Sequence, residues 1–235
     1  MPDDRTNDLG QPIGWPIDVV APPVPASEPM VGIHCRLEPL DAAAHGSALF
    51  AEYTAAADDG DWTYLPYGPF EQEEELAAWL AAMAPLDDPM FFAVIDSATG
   101  AAVGVASFLR INPASASIEV GHIHFSRAMQ KTPMATEAMH LMMKAAFEAG
   151  YRRYEWKCDA LNAPSQAAAR RLGFRYEGIF RQATHYKGRN RDTAWFGIID
   201  SEWPALDAEF TRWLDPANFD ADGSQRSPLT NRSAG

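Results

Sequence analysis

The sequence has little cysteine and no long apolar run, and both shortages narrow the class of protein. Only Cys35 and Cys158 occur among 235 residues, which is typical of a reduced protein with free thiols. No run approaches the roughly 18 apolar residues of a membrane-crossing helix, and the polar start Met1 to Asp8 lacks the apolar segment of a signal peptide. We therefore expect a cytoplasmic protein that does not contact membranes.

Positive charge is also scarce, because 19 Lys and Arg residues face 32 Asp and Glu residues, for a formal net charge of -13. A field of this sign repels phosphate backbones, so we expect no nucleic acid partner and a cationic or amine-bearing substrate. The 47% of apolar residues is sufficient for one full core in a chain of this length.

Differences in composition divide the chain into three regions. Residues 1–30 contain seven prolines, which exclude regular helix or central strand and predict an extended arm. Residues 31–215 are predicted to form one domain, and residues 216–235, rich in Asn, Asp, Gly and Ser, a flexible tail. The arm and the last helix could each form a homodimer interface or cover the monomer's own core.

Periodicity predicts alternating strands and helices within the domain. Such an order packs as an α/β (α+β) fold, a mixed sheet with helices on both faces. The predicted strands are 34–40, 91–95, 103–109, 117–125, 153–158, 178–186 and 193–199, and the predicted helices are 41–56, 71–83, 134–149, 164–172 and 201–214. On helix 134–149 the predicted polar face consists of Glu137, His140, Lys144 and Glu148.

Strand 117–125 changes phase in its middle. Ile118 and Val120 share one face, whereas Ile123 and Phe125 fall on the other. A bulge at Gly121 would return both pairs to the core, separate this strand from its neighbour and free backbone N–H groups. The alternative is a simple register irregularity at a sheet edge.

The loop after this strand leads directly into the helix 134–149. Thr132 can cap that helix, and Pro133 suits its first position. The free amides and the helix dipole would form a pyrophosphate site, to which Lys131 adds charge. An ordinary capped helix without a ligand is the alternative.

Two strings, GHIHFSRAMQKTPMATEAMHLMM and RRYEWKCDALNAPSQAAARRLGFRYEGIFRQATHYKGRNRDTAWFGIIDSEW, resemble the GNAT acyltransferase superfamily, closest to its RimJ/RimL-like branch. The resemblance runs from about Val31 to Leu214. It implies a mostly antiparallel sheet of about seven strands, with a V-shaped split between the fourth and fifth, and acetyl-CoA as co-substrate. The family's pyrophosphate loop reads Gln/Arg-x-x-Gly-x-Gly/Ala. Here Gln130 and Ala135 match its ends, and Pro133 replaces the first glycine.

The resemblance also implies which residues bind the cofactor. Asn162 would hold the pantetheine arm, and Ser165 would lie near the thioester sulfur as a proton donor. Ordinary helix capping by Asn162 or Ser165 is the alternative. The predicted cofactor-binding residues are His122, Ile123, Gln130, Lys131, Thr132, Met134, Ala135, Thr136 and Asn162.

The implied reaction is direct attack of a neutral amine on the thioester carbonyl. Backbone N–H groups near His122 and Ile123 would polarise that carbonyl. Glu119, on the polar face just before the bulge, is the first candidate for the base, followed by His122 and His185. Each could instead be a structural, hydrogen-bonded or salt-bridged group.

Residues 58–69 follow the first helix, where the related proteins place loops that cover the substrate. Trp62, Tyr64 and Tyr67, with three nearby carboxylates, could recruit and stack on a cationic amine. His185 is a further candidate for substrate binding. An acidic surface loop pinned by aromatic anchors is the alternative.

Neither metal binding nor catalysis by a cysteine nucleophile is expected. His122 and His124 have no third ligand at suitable spacing, so no metal is expected. Cys158, within an apolar strand, is expected to be a buried inert thiol rather than a nucleophile.

The sequence thus favours an N-acetyltransferase acting on a small amine, an amino acid or a protein N-terminus. The alternatives are a non-catalytic acyl-CoA-binding protein on the same fold and a structural dimer built around the arm.

Overall fold

The computed structural model describes residues 5–220 and 223–230. Its centre is one eight-stranded sheet with the strand order β1-β2-β3-β4-β5-β6-β8-β7. The strands are β1 Met30–Val31, β2 Cys35–Pro39, β3 Met90–Asp96, β4 Ala102–Asn112, β5 Ser117–Phe125, β6 Arg153–Asp159, β7 Arg175–Tyr186 and β8 Arg189–Ile199. The helices are α1 Ala42–Thr54, α2 Glu73–Met83, α3 Pro133–Glu148, α4 Ala163–Arg171 and α5 Trp203–Leu214, with short 3-10 helices at Gly60–Trp62 and Pro216–Asn218.

The sheet separates two hydrophobic cores, because strand residues alternate between its faces. In β3, Phe92 and Val94 pack in the core shared with α3, α4 and α5. Phe91 and Ala93 pack in the core shared with α1 and α2. The predicted mixed sheet with helices on both faces is therefore confirmed, with the two-residue β1 raising the strand count to eight.

The split in the sheet lies where it was predicted. All pairings are antiparallel except that of β5 with β6. That parallel pairing covers only Ser117–Val120 against Arg153–Trp156. Because β5 continues to Phe125 and β6 to Asp159, the two strands diverge beyond their pairing. They are the fourth and fifth strands of the sequence prediction.

The α3 helix buries more of its surface than its sequence suggests. Lys144 and Glu148 are exposed, but Glu137 is 3% and His140 is 7% exposed. Glu137 accepts hydrogen bonds from the backbone N–H groups of residues 33–35. His140 Nε2 lies 2.7 Å from Asp207 Oδ1 on α5. The predicted polar face is thus wrong for two of its four members, because the β1–β2 turn and α5 cover them.

The arm and the tail differ in how they attach to the domain. The arm has little regular structure, and Tyr151 donates a hydrogen bond to the Pro23 carbonyl. The tail was predicted to be flexible, but its described residues fold back onto α5. Asn218 Nδ2 donates to the Trp213 carbonyl, and Glu209 accepts from Thr230. Residues 1–4, 221–222 and 231–235 of the predicted arm and tail lie outside the described residues.

Within the described part of the chain, no helix combines the length and hydropathy needed to cross a membrane.

Candidate active site

A cleft of about 1180 Å³ opens where β5 and β6 diverge. It is bordered by the starts of α3 and α4, by the loop 61–66 and by the β7–β8 hairpin. The helices α3 and α4 pack on one face of the sheet, and the loop 61–66 follows α1, which packs on the other. Elements of both faces therefore meet at the split.

A β-bulge shapes the β5 side of the cleft. Val105 of β4 pairs with His124, and Ser107 pairs with Gly121. Two residues of β5, His122 and Ile123, therefore face one residue of β4 and have no partner in either ladder. Both residues line the cleft.

The bulge has the effect on the core that the phase break predicted. Ile118 and Val120 are buried in the same cluster against which Ile123 and Phe125 pack. The bulge prediction is confirmed, but the bulge lies one residue further along. Gly121 pairs with Ser107, and the unpaired residues are His122, with a φ of 50°, and Ile123.

The start of α3 presents backbone donors to the cleft. Pro133 occupies the first helical position, as predicted, and Thr132 precedes it. Thr132 does not cap the helix as predicted, because its Oγ1 donates to the Met129 carbonyl, 2.6 Å away. Among the described residues, no side chain therefore caps the helix, and the amides of Met134 and Ala135 remain available for an anion.

Most of the predicted cofactor-binding residues are brought together here. Met134 is the exception, because it packs against the core and its carbonyl lies 3.7 Å from Cys35 Sγ. The others all line the cleft: His122, Ile123, Gln130, Lys131, Thr132, Ala135, Thr136 and Asn162. Gln130 has a structural role as well, since its Nε2 donates to the Phe125 carbonyl at 2.9 Å.

At the start of α4, Asn162 and Ser165 make the capping contact that the sequence left open. Asn162 Oδ1 accepts a hydrogen bond from the Ser165 N–H at 3.1 Å. Ser165 Oγ accepts one from Trp156 Nε1 at 3.0 Å. Both side chains also line the cleft, so capping does not exclude contact with a ligand.

Glu119 lies at the bottom of the split and is 3% exposed. Its Oε1 is 2.7 Å from Arg110 Nη1, and its Oε2 is 2.6 Å from Lys157 Nζ. Burial raises the pKa of Glu119 above its ordinary value, and the two cations oppose that rise. The residue is therefore both a salt-bridged group and a cleft-lining carboxylate.

The histidines of the cleft differ in environment. Burial lowers the pKa of His122 to about 4, with the Arg110 and Arg191 charges adding to the effect, and burial lowers that of His124 to about 3. Both rings are neutral at pH 7. His185 lies on β7 and lines the cleft, where its side chain is exposed. Among the residues described, no three His, Cys, Asp or Glu side chains are grouped to hold a metal ion.

Cys158 also lines the cleft but is 5% exposed. Burial raises the pKa of its thiol, and a hydrogen bond with Ser165 opposes that rise. A thiol that stays protonated is a poor nucleophile, in keeping with the inert role expected from sequence.

Of the three aromatic residues predicted to bind substrate, only Tyr64 lines the cleft. Its hydroxyl donates to the Leu161 carbonyl at 3.1 Å, which ties the loop to the start of α4. Trp62 is 6% exposed, with its ring 3.8 Å from that of His124. Tyr67 packs 4.3 Å from Trp79. Trp62 and Tyr67 do not line the cleft themselves but belong to an aromatic cluster that pins the loop, in which Tyr67 stacks on the cleft-lining His122 at 5.7 Å.

The carboxylates of that loop are also engaged. Arg127 Nη2 lies 3.3 Å from Asp58 Oδ1, and Arg127 Nε lies 2.7 Å from Asp61 Oδ2. One guanidinium therefore bridges two of the loop's three carboxylates and offsets one of their charges, and Asp61 also lines the cleft.

Sequence reasoning named Lys131 but missed the other cations and the tail residues of the cleft. Lys157 lies between the buried Trp156 and Cys158 on β6. The alternation of strand side chains therefore places it on the opposite face of the sheet, which the sequence could have indicated. It bridges Glu119 and Glu155 Oε2, and its Nζ lies 3.7 Å from the Trp195 ring centre. The missed tail-side residues had no local signal, because only tertiary packing brings them to the cleft: Trp213, Phe219, Gly223 and Gln225.

Comparison with known proteins agrees with this geometry. Residues 35–175 match the acetyltransferase (GNAT) domain. A GCN5-related N-acetyltransferase from Brucella melitensis is 46% identical, covers 89% of this chain and 96% of its own, and superposes with a TM-score of 0.87. A probable GNAT-family acetyltransferase from Chromobacterium violaceum is 41% identical over 83% of this chain and 99% of its own, with a TM-score of 0.75.

More distant structures share the fold alone. One is an acetyltransferase from Salmonella typhimurium described as modifying the N-terminal serine of ribosomal protein L7/L12, with 22% identity over 73% of this chain and 99% of its own and a TM-score of 0.62. No curated protein matches the chain.

A sheet split at a bulge, an uncapped helix start beside the split and a domain match over more than half of the residues lead to one assignment: the chain belongs to the GNAT family of acetyltransferases.

Proposed function

We propose that this acetyltransferase moves an acetyl group from acetyl-CoA to a primary amine by direct attack. The observation that carries the proposal is the position of Glu119. A carboxylate that is 3% exposed lies at the bottom of the split, beside the bulge at which His122 and Ile123 have no partner in either ladder. A base and a set of oxyanion donors are thus side by side.

The residues at the start of α3 fit the anionic part of the cofactor. The uncapped amides of Met134 and Ala135 lie at the positive end of the helix dipole. Ala135 is small enough to let a pyrophosphate approach, and Lys131 adds a positive charge at the rim of the cleft. When bound, acetyl-CoA supplies an activated thioester carbonyl.

Groups that line the cleft can perform each step of the reaction. The neutral amine nitrogen attacks the carbonyl carbon, while the free amides of the bulge stabilise the charge on the carbonyl oxygen. Glu119, directly or through a water, takes the proton from the amine as the new C–N bond forms. The C–S bond breaks, and the Ser165 hydroxyl donates a hydrogen bond to the departing sulfur.

The acceptor amine enters from the side of the sheet that carries the loop 61–66 and the β7–β8 hairpin. Tyr64 and His185 line this entrance. We propose a small amine, an amino acid or a protein N-terminus as acceptor, and a place near the RimJ/RimL-like branch. The Salmonella typhimurium neighbour described as modifying an N-terminal serine supports a peptide acceptor at the level of fold only.

The test is an acceptor panel read by release of the free thiol from acetyl-CoA. Small amines, amino acids and short peptides with free N-termini are each incubated with the purified protein. We expect release that depends on one acceptor class and drops in the Glu119→Gln variant. Binding of acetyl-CoA without release for any acceptor would instead support the non-catalytic acyl-CoA-binding protein.

A further inference from the structure

The C-terminal segment, defined here as residues 216–220 and 223–230, begins beside the proposed pyrophosphate site. This position follows from the antiparallel packing of α5 on α3. The rings of Phe147 and Trp203 lie 4.9 Å apart near one end of the pair, and those of His140 and Phe210 lie 4.9 Å apart near the middle. The end of α5 therefore lies at the start of α3.

Arg171 connects the two helices at this point. Its Nη1 donates to Thr136 Oγ1 at 2.9 Å, in the first turn of α3, and its guanidinium lies 5.0 Å from the Trp213 ring centre. Among the described residues, no carboxylate lies within ion-pair distance of Arg171. A guanidinium that lines the cleft without an acidic partner suits a phosphate.

Trp213 in turn holds the C-terminal segment against the cleft. Its Nε1 donates to Gln225 Oε1 at 2.8 Å, and its ring meets the edge of Phe219 at 5.1 Å. Phe219 and Gln225 pair as an isolated β-bridge. Both residues line the cleft, so a half-buried aromatic ring faces the space beyond the start of α3.

The length of the cofactor determines what must occupy that space. Its acetyl end belongs at the bulge and its pyrophosphate at the start of α3, so its nucleotide end must extend past this helix start. We propose that Arg171 and the C-terminal segment form a subsite for the 3′-phosphoadenosine end of coenzyme A. The adenine ring packs on Phe219, and a phosphate pairs with Arg171. This inference rests on the proposed function, because it takes the cofactor from it.

The first test compares two acetyl donors, acetyl-CoA and S-acetylpantetheine, which lacks the nucleotide. We expect Phe219→Ala and Arg171→Ala each to raise the KM for acetyl-CoA by about tenfold, as for loss of one base-stacking or phosphate contact. The KM for S-acetylpantetheine should not change. Ile179→Ala, an exposed apolar residue of β7 outside the cleft, serves as the matched control. Equal changes for both donors, or none, would overturn the subsite.

The second test does not depend on catalysis. Adenosine 3′,5′-bisphosphate alone should raise the unfolding temperature of the wild type and not that of Phe219→Ala or Arg171→Ala. If acetyl transfer is intact but the nucleotide stabilises all variants equally, the subsite is wrong and the proposed function stands. If the nucleotide stabilises only the wild type but no acceptor is acetylated, the subsite stands and the proposed function is wrong. Phe219→Leu, which retains apolar bulk, replaces Phe219→Ala if the latter does not fold.

Discussion

At the scale of single residues, two opposing effects determine the state of Glu119. Burial disfavours the carboxylate, whereas Lys157 and Arg110 favour it. Lys157 is itself almost fully covered and shared between Glu119 and Glu155. The outcome is a base whose pKa is raised above its ordinary value and which is positioned by two cations, so its ionisation should be visible in the pH dependence of the reaction.

Replacing the proposed base gives the first prediction. Glu119→Gln retains the shape and one acceptor oxygen but cannot take a proton, so kcat should fall by roughly 10²- to 10⁴-fold. The KM for acetyl-CoA should change little, since the pyrophosphate site lies elsewhere in the cleft. Steady-state kinetics across pH measure both. Turnover equal to that of the wild type at every pH would exclude Glu119 as the base.

Removing the charge of Lys157 gives the second prediction, which is a rise in the pKa of Glu119. Lys157 lowers the pKa of Glu119, so Lys157→Met should raise that pKa further. Activity that needs the ionised carboxylate then starts at higher pH, so the acid limb of the pH profile of kcat moves to higher pH. Lys157→Arg retains the charge and should return the limb toward that of the wild type. A limb that stays in place in Lys157→Met would show that another group titrates.

At the scale of elements, the sequence predicted where α3 lies but not what covers it. Pro133 and Gly150 mark its ends, and the structure places the helix at Pro133–Glu148 against a predicted 134–149. The burial of Glu137 depends on residues 33–35, about a hundred positions away in the chain. A local pattern carries no information about such a partner, and for the same reason it did not indicate that the ring of Trp62 is buried.

Glu137 supplies the third prediction, because it accepts three backbone N–H groups at 2.6 to 2.8 Å. Glu137→Ala leaves these donors without an acceptor and should lower the free energy of unfolding by about 2 to 4 kcal/mol. Glu148→Ala, at an exposed position on the same helix, should change it by less than about 0.5 kcal/mol. Urea unfolding measures both. Equal stabilities would contradict the role of Glu137 as a cap of the β1–β2 turn.

The loop 58–69 supplies the fourth prediction. Since Asp58 and Asp61 are both engaged by Arg127, the double variant Asp58→Asn/Asp61→Asn should leave the KM of a cationic acceptor unchanged. Arg127→Gln, which frees both carboxylates, should lower that KM instead. Kinetics with one cationic and one neutral amine separate the effects. A KM that rises in the double variant for the cationic amine alone would restore these carboxylates as its binding site.

At the scale of the whole molecule, the sequence predicted the fold better than it predicted the residues of the site. The order of elements predicted a mixed sheet with helices on both faces, and the phase break in residues 117–125 predicted the bulge. The mostly antiparallel pairing and the place of the split came from the family resemblance. The net charge of -13 was a poorer guide to the cleft, which is lined by Arg110, Lys157 and Arg191. A sum over the chain does not give the local field, because the fold concentrates these few cations at the split.

The central claim is that acetyl-CoA binds with its pyrophosphate at the start of α3, and thermal unfolding with and without acetyl-CoA tests it most directly. Ligand at 100 times its Kd stabilises a protein by about 2.7 kcal/mol, a shift of several degrees in Tm. Ala135→Trp should fill the pyrophosphate site and abolish the shift, whereas Ala167→Trp, exposed on α4 and outside the cleft, should retain it. A shift in the wild type and Ala167→Trp alone is the predicted result; an equal shift in Ala135→Trp, or none in the wild type, would contradict the account.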